Sequence, residues 1–164
     1  FGTSGPYEAS REKFKIKDVG KIFENGYFLL VCIGYWGQMW ELYSCWAWIG
    51  RFLFSTLQEV YGFSDERANF VGYLVAFFVI AIGGLGCIAG GYASQYFGQT
   101  NTIIISLVIS GTCSILIGVT RHLSFTLTII IGLIWGFFVI SDSALFFSLA
   151  SEVCDPKYMG IFLI

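Results

Sequence analysis

The chain has 164 residues, of which 56% are hydrophobic, 19% aromatic and only 12% charged. Soluble domains carry about 25% charged residues, so this composition leaves too few to cover a water-facing fold. A net charge of −2 leaves no basic excess for nucleic-acid binding.

Residues 1–25 differ from all that follows. Arg11, Lys13, Lys15, Lys17 and Lys21 lie here, interspersed with Glu8, Glu12, Asp18 and Glu24, and Gly2, Gly5 and Pro6 favour a flexible start. This is expected to be a solvated segment at the membrane surface. Lys13 to Phe23 can form a short surface helix with Phe14, Ile16, Val19, Ile22 and Phe23 on its apolar side.

Residues 26–164 read as membrane-embedded. Four apolar runs follow in order, at about 27–54, 68–97, 101–120 and 123–150, and a further helix is expected to start at Met159. Each run reaches the ~20 residues that cross a ~30 Å hydrocarbon core. Between residues 68 and 120 there is no Asp, Glu, Lys or Arg. The runs lack the alternation of apolar and polar residues that a membrane β-barrel requires. The predicted fold is therefore an all-α integral membrane bundle of four complete transmembrane helices and the start of a fifth. The chain begins at Phe1 and stops at Ile164 inside an apolar stretch, so both ends read as cut from a longer protein. The five basic residues before the first span make the N-terminal segment cytoplasmic by the positive-inside rule. The connections at 57–67 and 121–122 then face outward, and those at 98–100 and 151–158 inward.

Three features stand out. Glu41 falls near mid-membrane in the first run, where an acid costs about 2.5–3.5 kcal/mol to insert. With Gly34, Gly37, Gln38, Ser44, Cys45 and Trp48 it forms a small-and-polar stripe at helical spacing. Such a stripe faces a cavity or a partner helix, so Glu41 is either a proton-titrating or substrate-contacting group or a hydrogen-bonded clamp between helices. Asp142 sits in Ser141-Asp142-Ser143 in the cytoplasmic half of the fourth run. It reads first as a packing acid and second as a binding or gating residue. Glycines crowd the second run at Gly83, Gly84, Gly86, Gly90 and Gly91, and Gly132 and Gly136 repeat the GxxxG spacing in the fourth. That spacing serves close helix packing; its functional variant is sliding or bending of the helices. Arg51, in the last turn of the first run, is placed to reach the outer headgroups. Cys32, Cys45, Cys87, Cys113 and Cys154 have no CxxC spacing and His122 is alone, so no metal site, cofactor or catalytic pair is read and no enzyme is expected.

The stretch from Gly90 to Thr100 resembles the signature loop of the major facilitator superfamily, which joins the second and third helices of each six-helix half on the cytoplasmic side. Gly90, Gly91 and Gly98 match its glycines, whereas Gln95, Tyr96 and Gln99 replace its acidic and basic residues. The loop's charge-relay role is therefore not carried over. Gly34 to Tyr43 with Trp46-Ala47-Trp48, and Trp135-Gly136-Phe137 with Ser141 to Ala144, are similar to the seventh and tenth helices of a bacterial branch of that superfamily. The resemblance implies a linker followed by helices seven to ten and the start of eleven of a twelve-helix protein in a bacterial inner membrane, the alternative placement being helices one to four. It implies a secondary transporter of a small solute by alternating access, with proton coupling as one mode, and with Glu41, Gln38, Trp48 and Asp142 as substrate or proton candidates. Gly90, Gly91 and Gly98 would be the gating-loop positions, and the partners would be lipid, the solute and the remainder of the transporter. The competing reading is a non-transporting membrane scaffold.

Overall fold

The computed structural model describes residues 26–153. The proposed surface segment at 1–25 and the helix expected from Met159 lie outside these residues. The described chain is helical with short connections: α1 Gly26–Glu59, α2 Asp65–Phe97, α3 Gln99–Thr120, α4 Phe125–Ser141 and α5 Ser143–Val153. Helices are the form expected of such a chain, because in hydrocarbon each backbone N–H and C=O must find its partner within the segment.

Asp65–Phe97, Gln99–Thr120 and Phe125–Ala150 are each long and apolar enough to cross a membrane. The first expected span differs. At 34 residues α1 is ample in length, about 51 Å at 1.5 Å per residue, but Gln38, Glu41, Ser44 and Arg51 dilute its apolar character. Both α1 and α2 run beyond their apolar cores into polar ends, at Glu59 and Asp65 respectively. The fourth span also departs from the sequence reading. It is interrupted at Asp142, whose φ and ψ are −95° and −12° and whose N–H turns to Ile140 O. Hydroxyl-rich neighbours make that break affordable, since Ser141 Oγ donates to Phe138 O at 3.0 Å and satisfies the carbonyl that Asp142 N–H would otherwise take.

Packing follows the glycines. A Cβ on Gly86 would overlap the carbonyl oxygen of Phe137, one on Gly136 that of Val79, and one on Gly90 would lie 2.5 Å from Ser141 O. The α2 and α4 backbones are therefore in direct contact, as small residues permit. On the other flank of α2, Gly72 meets the backbone of Leu53 and Phe54 in α1. Cys45, Ile49 and Leu53 of α1, Ala76 and Val79 of α2 and Ile117 of α3 fill the space between them. Large apolar side chains such as Phe70, Phe77, Ile88 and Ile115 point outward, an arrangement that suits lipid and not water. Gly98, with φ of 80°, makes the tight turn from α2 to α3.

Candidate polar site within the bundle

Two linked polar groups lie inside the bundle. The first is built on Glu41. Its Oε1 accepts from Ser110 Oγ of α3 at 2.5 Å and from Trp135 Nε1 of α4 at 2.8 Å. Three helices thus meet at one carboxylate, midway along α1. Cys45 and Cys113 lie close to the same carboxylate.

The second group is built on Gln38, one turn earlier in α1. Gln38 is 2% exposed and Asp142 1%. Gln38 Nε2 donates to Val139 O at 2.7 Å and lies 3.1 Å from both Asp142 Oδ1 and Ser143 Oγ. It therefore bridges α1 to the two sides of the break in the fourth span. Beside it, Ser141 Oγ and Ser106 Oγ of α3 are 3.0 Å apart, and Cys87 Sγ of α2 donates to Ile140 O at 3.4 Å. Hydroxyls and carbonyls left over by the break are taken up by side chains from α1, α2 and α3, as buried polar groups require.

The structure thus brings together three of the residues singled out by sequence: Gln38, Glu41 and Asp142. Trp48 stands apart, 68% exposed on the outer face of α1, even though it shares a helical repeat with Glu41. Gly90 is buried against Ser141 at the helix break, Gly91 has nothing within 4 Å of its Cβ position, and Gly98 sits in the α2–α3 turn. At that turn, Gln99 Nε2 donates to Ser148 Oγ at 3.2 Å and Glu152 Oε1 at 2.8 Å. A neutral amide therefore ties the start of α3 to α5. Ser110 and Trp135 were not singled out as Glu41 partners. The legible signal for Ser110 was the stripe Thr102, Ser106, Ser110 and Cys113, at spacings of three and four residues, which is the buried face of α3.

At the opposite end, Arg121 pairs with Glu59 at 2.9 Å, Tyr61 hydroxyl donates to Arg121 O at 3.4 Å, and Gln58 reaches Asp65. Arg51 lies over the Phe54 ring, and because α1 continues to Glu59 it sits more than two turns before the helix end and not in the last turn expected from sequence. All three arginines of the described residues are at this end, remote in sequence and level from Asp142.

The sequence model of the Major Facilitator Superfamily matches residues 2–163. The chain belongs to the major facilitator superfamily. No curated protein and no solved structure matches it. Members of the superfamily are transporters and not enzymes, and the apolar helices agree with a multi-pass membrane protein in a lipid bilayer. In a major facilitator protein, polar side chains held between spanning helices are the natural candidates for contact with solute or ion.

Proposed function

We propose that the chain is part of a secondary transporter that moves a small solute by alternating access, and that it supplies helices seven to ten of the second six-helix half. Glu41 lines the path between the two halves and exchanges protons or contacts the solute, with Gln38 and Asp142 completing the polar surface. In this reading Gly98 belongs to the cytoplasmic gating loop, while Gly90 and Gly91, expected there from sequence, lie in the last turns of the helix that leads into it, and the N-terminal segment is cytoplasmic in a bacterial inner membrane.

The observation that carries the proposal is the position of Glu41. It sits half-way along α1, with its carboxylate held by donors from two other helices. Acids at membrane depth are costly and mark ion and substrate paths. The same bonds also describe an interhelical clamp, so transport must be measured apart from folding. The test is uptake by the intact transporter in proteoliposomes under an imposed pH gradient, using solutes first selected by their stabilisation of the purified protein. Solute accumulation that collapses with the gradient supports a proton-coupled transporter. Folded protein that binds and moves no solute in either direction favours the scaffold.

A further inference from the structure

Asp142 is buried, and among the described residues no basic side chain lies beside it. The described residues contain three arginines, Arg51, Arg67 and Arg121, and no lysine, and the arginines lie toward the other end of the bundle. The titratable groups that face Asp142 are Glu41 from α1 and Cys87 from α2. From α3, Cys113 faces Glu41 instead. On α5, Glu152 is exposed and bonded to Gln99. A buried carboxylate requires a compensating cation or a full set of donors. Among the described residues the charge that acts on it, Glu41, has the same sign.

Gln38 is mismatched to its surroundings in a telling way. Its Nε2 has two hydrogens and three acceptors within 3.1 Å. Its Oε1 is buried and has no hydrogen-bond partner. Turning the amide over would bring Oε1 to face Asp142 and Ser143. A protonated Asp142 and the Ser143 hydroxyl could then both donate to it.

We propose that Asp142 is a proton-binding site, separate from Glu41, whose occupancy is read by Gln38 and transmitted to the break between α4 and α5. A hydronium ion from the aqueous phase gives its proton to Oδ1, forming one O–H bond and leaving water; no covalent bond in Gln38 is broken. The N–H···Oδ1 hydrogen bond is replaced by O–H···Oε1, and the amide turns. Val139 O then loses the Gln38 donor that ties the last turn of α4 to α1. The break has room beside it, since a cavity of about 140 Å³ between α2, α3 and α4 is lined in part by Gly90, Thr102, Ser106, Phe138 and Ser141. Release of the clasp lets α5 turn about Asp142. The hinge would serve the transport cycle proposed above, but the proton site does not depend on that cycle.

The test is an infrared pH titration of the purified intact transporter, which needs no substrate. A protonated-carboxyl stretching band should grow as the pH falls. It should be lost in Asp142→Asn and kept in Glu41→Gln. In Gln38→Leu it should shift in frequency, because the acceptor of the new hydrogen bond is gone. Alkylation of Cys87, which contacts Ile140 O at the break, gives the second readout. Because the Asp142 charge also acts directly on the Cys87 thiol, each rate is divided by the thiolate fraction measured in the same variant, and the corrected wild-type rate should depart from the corrected Asp142→Asn rate at the midpoint of the band. Absence of an Asp142-dependent band at any tolerated pH overturns the proposal. So does a band that Gln38→Leu leaves unmoved, or one that sodium but not potassium removes at fixed pH, which would assign the site to a metal cation. Should Gln38→Leu fail to fold, Gln38→Met serves in its place, since it nearly keeps the side-chain volume while removing the amide acceptor, and an unmoved band there overturns the proposal equally.

Discussion

The glycine contact between α2 and α4 sets a sharp stability test. A methyl group added at Gly86 would overlap Phe137 O and lie 3.0 Å from Phe137 C. A backbone carbonyl cannot move aside as a side chain can, so the helices must separate. Overpacking of this kind costs about 1–3 kcal/mol, and rigid backbone contact favours the upper end. Alanine also returns roughly 0.5–1 kcal/mol in helix propensity over glycine. Gly84, two residues away on the same helix, has nothing within 4 Å of its Cβ position, so Gly84→Ala keeps the propensity gain without the clash. The difference between the two variants isolates the packing term at about 1–3 kcal/mol. Reversible unfolding of the intact protein in bicelles measures it. Equal stability of Gly86→Ala and Gly84→Ala would refute the backbone contact.

Three further outcomes are expected. Gly98→Ala should lose about 1–3 kcal/mol, because φ of 80° is strained for any residue with a Cβ; the same unfolding assay reads it. Glu59→Gln should change stability by less than about 1 kcal/mol, since Glu59 is 64% exposed in its pair with Arg121. Cysteines introduced at Ser4 and Ser64 should label from the cytoplasmic and outer faces respectively, and labelling of position 4 from outside in intact cells would reverse the proposed orientation.

Much of this arrangement was legible in the residues. The uncharged stretch from 68 to 120 and the GxxxG spacings at Gly86–Gly90 and Gly132–Gly136 foretold helices in close contact, and the α2–α4 interface has that form. The burial of Gln38 and Asp142 and the interhelical setting of Glu41 followed from the cost of polar groups at membrane depth. Pairings across helices were not legible, because periodicity fixes a face without fixing which neighbour covers it. Trp48 shows the limit: ten residues from Gln38, at helical spacing, it has drifted around α1 to an exposed face. The break at Asp142 was hidden for a different reason. Ser141 and Ser143 are tolerated within helices, and only the donors arriving from Gln38 and Cys87 make an interruption favourable there.

The functional claim rests on Glu41, and one comparison addresses it most directly. Glutamine at this position keeps a carbonyl oxygen able to accept from Ser110 and Trp135, so the three-helix contact survives while the titratable proton is removed. Transport per correctly inserted molecule is to be measured across pH for the wild type and Glu41→Gln. The account predicts a folded, inserted variant with impaired uptake or a flattened pH profile. An unchanged rate and an unchanged profile would contradict it and leave Glu41 as a clamp between helices.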